Sequence, residues 1–211
     1  MAKRPRYSTC ADFDAAHVVF KEMDKDTCGN PIVAIKSPSL RLFAPGRYQE
    51  IAYPVKAYQE DAKPEDAKPA GGPDVTLGLV STEEQAAVIE VIFKMAASYL
   101  AKKCFSGLSP EAVEGLGNLP VKRKEGRDPV ICGKLDFTSH SPTAIDADGT
   151  RGEGYEFLVE HRGPRCWRGH LAQMVVQPRL WINGQRWGLQ LGVTDLRVKE
   201  PEEDDPFGDR V

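Results

Sequence analysis

No run in this chain approaches the roughly 18 consecutive apolar residues of a membrane-spanning helix, so a helical membrane protein is not expected. The opening Met1-Ala2-Lys3-Arg4-Pro5-Arg6 is basic but leads into no apolar segment, so no secretory signal is read there and a cytoplasmic protein is expected. The five cysteines, Cys10, Cys28, Cys104, Cys132 and Cys166, include no close pair. Without a C-x-x-C spacing neither a structural zinc site nor a disulfide framework is expected, and the thiols read as small buried side chains in a reducing compartment. Also missing are a Walker motif, a nucleophile elbow and a glycine-rich phosphate cradle. The expectation is therefore a protein that is not an enzyme and carries no cofactor and no metal.

What is present begins with an uneven charge. The net charge of −3 over 211 residues conceals a tail, residues 200–211, with six acids (Glu200, Glu202, Glu203, Asp204, Asp205, Asp209) and one base, Arg210. The remaining 199 residues keep 25 acids and 27 bases, so the body carries about +2. Such a body suits a polyanionic ligand, and the tail suits a competitor for that ligand or a lure for a basic partner.

Residues 1–53 read as irregular β structure, with short apolar runs at Ile32–Ile35 and Ser39–Phe43 broken by Pro and Gly. Residues 59–74 carry the repeat Glu60-Asp61-Ala62-Lys63-Pro64 and Glu65-Asp66-Ala67-Lys68-Pro69 with no large apolar residue, and so predict a flexible loop. A helix is predicted over 81–103. Ser81-Thr82-Glu83-Glu84 supplies a capping box, with Glu84 returning to the cap, and Val88, Ile92, Met95 and Tyr99 follow at helical spacing. Residues 107–129 read as a loop holding a basic cluster, Lys122, Arg123, Lys124 and Arg127. Strands are predicted near 130–138, 154–161, 170–181 and 186–198. This places the chain in a mainly β class with one main helix, as a small β-barrel with embellishments. Residues 1–199 are expected to form one domain and residues 200–211 a disordered acidic tail.

The stretch from His170 to Val198 carries most of the argument. Two strands meet at Asn183-Gly184, a strong signal for a two-residue turn, which pairs Ile182 with Gln185, Trp181 with Arg186 and Leu180 with Trp187. Alternation then sorts the side chains. Met174, Val176, Pro178, Leu180, Trp187, Leu189, Leu191 and Val193 form a core face. Gln173, Val175, Gln177, Arg179, Trp181, Arg186 and Gln190 share the other face with Gly188 and Gly192, and no acid joins them. Aromatic, guanidinium and amide groups beside glycines suit unstacked bases and phosphates; a helix or loop covering an outward Trp explains the same pattern. Lys134, on the preceding strand, is a further cation for this site. Upstream, Arg165 and Arg168 flank Trp167 in a turn, as a backbone clamp or as a plain surface loop.

The Gly169–Val198 pattern, with Pro178-Arg179-Leu180-Trp181 before the turn and Trp187-Gly188-Leu189-Gln190-Leu191-Gly192-Val193 after it, resembles phage-encoded single-stranded DNA-binding proteins of the OB-fold class that includes the T7 replication protein. Ser37-Pro38-Ser39-Leu40-Arg41-Leu42 is similar to the opening strand of that family. The resemblance implies an OB-fold-like barrel with an inserted helix, single-stranded DNA as partner without sequence specificity, and roles in phage DNA replication and recombination in the host cytoplasm. Asp204-Asp205-Pro206-Phe207 resembles the partner-recruiting tip of bacterial single-stranded DNA-binding proteins, implying that Asp204, Asp205 and Phe207 bind replication or recombination proteins; here Gly208–Val211 follow the Phe. Two other readings stay open. A metal-dependent phage nuclease would draw on Asp136, Asp146, Asp148, Glu153, Glu156, Glu160, His140 and His161. A virion or protein-interaction module would bury Trp167 and Trp181 in an interface.

Overall fold

Among the described residues the hairpin over residues 171–199 is the longest regular feature, and the rest of the sheet is assembled on it. The computed structural model describes residues 8–20, 33–34, 42–43, 49–52, 75–135, 143–145, 150–153 and 169–199. In chain order the strands are β1 (Val33–Ala34), β2 (Leu42–Phe43), β3 (Gln49–Glu50), β4 (Val75–Val80), β5 (Gly117–Asn118), β6 (Val121–Lys124), β7 (Arg127–Leu135), β8 (Thr143–Ile145), β9 (Arg151–Glu153), β10 (Leu171–Asn183) and β11 (Arg186–Lys199). Two helices, α1 (Glu83–Lys103) and α2 (Pro110–Gly115), lie between β4 and β5. The expected mainly β class with one main helix is what the structure has.

The strands belong to one sheet whose main path runs β1–β10–β11–β7–β4. Further short strands, β2 and β3, pair with β10, while β5 and β8 pair in parallel with β11. The expected closure into a small barrel is corrected. Among the described residues the β4 edge meets the β3 segment through one bridge, Ile51 to Leu79, with Ala52 N–H donating to the Gly78 carbonyl at 2.9 Å. A contact two residues long is not a ladder, so the sheet is not closed into a barrel.

Helix α1 forms where the spacing predicts, but its cap is shifted by one residue. Thr82 is the N-cap and Gln85 completes the capping box, in place of Ser81 and Glu84. The reason is burial. Gln85 turns inward, where Ser81 donates to its Oε1 at 2.9 Å and the Gln49 amide donates to the same oxygen. Glu84 stays at the surface, in the first turn with Glu83, where both suit the positive pole of the helix. Val88, Ile89, Ile92, Phe93, Ala96, Ala97 and Leu100 put one apolar face onto the sheet, each large side chain contributing about 1.5–3 kcal/mol on burial.

The 107–129 segment is not a loop. Ser109 caps α2 through a hydrogen bond from Ala112 N–H, with Pro110 at the first helical position. The basic cluster then forms the β6–β7 hairpin, turning at Glu125-Gly126 with Lys124 opposite Arg127. Arg123 is spent on α1: its Nη1 is 2.7 Å from Glu83 Oε2 and its Nε 2.9 Å from Glu90 Oε1.

The β10–β11 register is also corrected, by two residues. Asn183 pairs with Arg186, Ile182 with Trp187 and Trp181 with Gly188, so the turn is Gly184-Gln185. Gly184 has φ of 60°, and it occupies the first central position, which a type II′ turn reserves for glycine. A shift of two changes every cross-strand partner yet leaves each side chain on its expected face. Farther along, the register slips between Val175 and Val176: Val176 faces Val193, Val175 faces Asp195, and Thr194 is the extra residue. The bulge sends Leu196 and Val198 into the core and turns Asp195 and Arg197 outward.

The predicted 59–74 loop, the 154–161 strand and the 200–211 tail lie outside the described residues.

Candidate nucleic-acid interface

Pleat parity separates the two tryptophans of the hairpin. Trp187 points inward and is fully buried, stacked on Phe93 with centroids 4.5 Å apart, and its Nε1 donates to the Val113 carbonyl at 2.6 Å. Trp181 points outward and is half-buried. Its indole reaches across the cross-strand glycine, so that a Cβ at Gly188 would stand 2.6 Å from Cε2 and Cζ2. The missing side chain at 188 is what lets the ring lie against the sheet.

Around Trp181 the register gathers polar groups. Arg179 pairs with Gln190, Gln177 with Gly192, and Arg186 with Asn183 at the tip. The Arg179 guanidinium extends toward Gly192, whose Cβ position is 3.4 Å from Arg179 Nε. Lys134 joins the same face, because β7 pairs with β11 at Gly192 and with β4 at Thr76. Trp181, Arg179, Arg186, Gln177, Gln190 and Lys134 thus share one side of the sheet, as expected. Same-face residues along a strand are about 6.6–6.8 Å apart, so the stretch from Gln177 to Asn183 covers about 20 Å.

One predicted member is buried. Gln173 is only 9% exposed and sits opposite Arg197 at the covered end of the face, beside buried Val175. The expectation that no acid lies on the face is corrected as well, since the bulge places half-buried Asp195 there, accepting from Thr194 Oγ1 at 3.0 Å. The open part therefore runs from Gln177 to Arg186. Trp167, Arg165 and Arg168, and in the tail Asp204, Asp205 and Phe207, lie outside the described residues.

Asn118 also borders this face. Its segment, Gly117-Asn118-Leu119-Pro120, reads as a turn, yet it runs parallel to β11 with Asn118 beside Gly188. Only the long-range pairing reveals it. The basic cluster contributes less than its composition suggests: the Arg123 guanidinium donates hydrogen bonds to Glu90 and Glu83, which hold it in its charged form, engaged on the helix side.

Among the described residues no group of three or more His, Cys, Asp or Glu is arranged to hold a metal ion, and no helix is long and apolar enough to cross a membrane. The nuclease candidates Asp136, His140, Asp146, Asp148, Glu156, Glu160 and His161 lie outside the described residues. Cys10, Cys104 and Cys132 are free thiols. Burial raises the Cys10 thiol to about 11, with Glu84 adding to the rise, and raises Cys132 against the pull of Lys122, so both stay protonated at neutral pH.

The fold and this face together define a mainly β protein with an outward aromatic, Trp181, set among cations and amides. No protein-family model matches the chain, and no curated protein sequence does. Among solved structures it is similar to the single-stranded DNA-binding protein from bacteriophage Enc34 in complex with ssDNA, at 14% identity over 92% of this chain and 100% of that one, with a TM-score of 0.45. It is also similar to gp2.5, a single-stranded DNA binding protein encoded by bacteriophage T7, at 16% identity over 78% of this chain and 91% of that one, with a TM-score of 0.43.

Proposed function

We propose that the outer face of the β10–β11 hairpin binds single-stranded DNA without sequence preference. The observation that supports this most is the placement of Trp181: its indole is held over Gly188 and is only half-buried, with Arg179, Arg186 and Lys134 on the same side of the sheet. A base whose own stack has been opened gains from lying on such a ring, by about 1–3 kcal/mol. A duplex keeps its bases stacked on each other and offers the ring nothing. Guanidinium and ammonium groups around the ring attract phosphates irrespective of sequence, and the amides of Gln177 and Gln190 adapt to any base edge.

The role follows from that chemistry and from the family resemblance of the hairpin: protection of single strands exposed in phage DNA replication and recombination, by a protein that catalyses nothing. In this reading residues 1–199 act as one binding unit. Residues 200–211, with six acids and one base, compete for the cationic face and recruit partner proteins through Asp204, Asp205 and Phe207. Tethering keeps the tail's effective concentration high.

The test is a titration of a labelled oligonucleotide, single-stranded and as the matching duplex, across a range of salt. The expected result is tight binding to the single strand, weaker binding to the duplex, and a salt slope of about −0.7 per phosphate neutralised. Equal affinity for the two forms overturns the proposal. A flat salt response does so as well and favours a protein–protein interface. Deleting residues 200–211 is expected to raise affinity, most at low salt where charges are least screened; lower affinity after deletion would make the tail part of the binding site.

A further inference from the structure

The row across the sheet at Gly188 runs over three strands: Trp181 on β10, Gly188 on β11 and Asn118 on β5. Neighbouring strands are about 4.8 Å apart. The Trp181 ring leaves β10 and reaches Gly188, because its Cε2 and Cζ2 are the atoms a Cβ there would meet at 2.6 Å. A base stacked on that ring therefore lies over β11. The next group along the row, one strand spacing beyond, is Asn118, and it is exposed.

The position of Asn118 is fixed from below. Its neighbour Gly117 pairs with Trp187, and a Cβ at Gly117 would collide with the Phe93 and Trp187 rings. The Trp187 Nε1 hydrogen bond to Val113 ties α2, which leads directly into β5, to the same ring. The buried Trp187 thus anchors the strand that carries Asn118 beside the exposed Trp181. An amide offers two N–H donors and one carbonyl acceptor in one plane, which matches the mixed donors and acceptors on the edge of a base and matches a phosphate less well.

We infer that Asn118 hydrogen-bonds the edge of the base stacked on Trp181, making the Trp181–Gly188–Asn118 row a base-binding subsite. This rests on the reading of the face as a single-strand binding surface and adds a residue that contacts the base rather than the backbone. One amide beside one stacked base gives a modest base preference at that subsite, superimposed on binding that is otherwise indifferent to sequence.

The experiment compares the full chain with Asn118→Ala and Asn118→Asp on oligo-dT, oligo-dC, oligo-dA and an abasic oligomer of the same phosphate count. Asn118→Ala is expected to weaken binding to base-bearing oligomers by roughly three- to tenfold, unequally among the bases, with no change on the abasic oligomer and none in the salt slope. Asn118→Asp, which loses the donors and adds a negative charge, is expected to bind worse still. Because the side chain is exposed, thermal melting of both variants is expected to match the parent. Unchanged affinity of Asn118→Ala for every base overturns the inference, and so does an equal loss on the abasic oligomer, which would make Asn118 a backbone contact. If the parent chain binds none of the oligomers, the reading of the whole face fails with it, an outcome distinct from failure at Asn118 alone.

Discussion

Trp181 and Trp187 stand six residues apart in one hairpin, are chemically identical, and are put to opposite use. The even spacing in sequence, across a turn of two residues, lands them on opposite sides of the sheet. Trp187 is enclosed, stacked on Phe93 and hydrogen-bonded to Val113. Its whole surface is committed to the fold. Trp181 has one glycine beneath it and cations beside it, and part of its ring faces solvent. An aromatic residue near a basic group says little until its side of the pleat is known. The two faces are also coupled: the inner ring holds β5 in place, and β5 places Asn118 beside the outer ring.

Truncating each ring separates the two roles. Trp187→Ala is expected to have the largest effect, a loss of about 3–5 kcal/mol of stability, read from chemical denaturation. Trp181→Ala is expected to lose about 1–3 kcal/mol of single-strand affinity with an unchanged denaturation midpoint. If the effects exchange places, the assignment of faces is wrong. Gly188→Ala sharpens the contrast without removing either ring. The new methyl meets the Trp181 indole at 2.6 Å and displaces it, so affinity is expected to fall by less than in Trp181→Ala while the melting temperature barely moves. The smallest effect is expected from Arg123→Ala. Its guanidinium is held by Glu83 and Glu90, so oligonucleotide affinity is expected to stay unchanged, with a slight loss of thermal stability that fades in high salt. A clear loss of DNA affinity in Arg123→Ala would extend the interface onto the β6–β7 hairpin.

The face assignment was legible in the sequence because strand alternation has a period of two and survives a register error of two. The register itself was not legible. Asn183-Gly184 signals a turn, but whether Asn183 enters the turn or closes the ladder depends on which central residue takes positive φ, and here only the second of the pair lies in the turn. That Asp195 reaches the outer face was not legible for a different reason: Thr194 is bulged, and a bulge has no local signature in an otherwise alternating strand. Between residues 107 and 129 the abundant Gly and Pro read as loop, although Ser109-Pro110 was an N-cap followed by proline at the first helical position. Asn118 was invisible because its partner Gly188 lies 70 residues onward in the chain. The helix was legible almost to the residue, since cap and apolar spacing are both local, and the cap moved by one only because Gln85 finds buried partners.

Whether the outer or the inner ring meets the single strand is tested in one mapping experiment. Trypsin cleaves after Arg179, Arg186 and Arg197, so the two tryptophans fall in adjacent peptides, Leu180–Arg186 and Trp187–Arg197. A single-stranded oligonucleotide carrying a photoreactive pyrimidine is irradiated in complex with the full chain, digested, and its adducts located by mass spectrometry. Cross-linking at Trp181 in the Leu180–Arg186 peptide, with Trp187 unmodified, is the predicted result. Adducts confined to other peptides, with Leu180–Arg186 recovered unmodified, would contradict it.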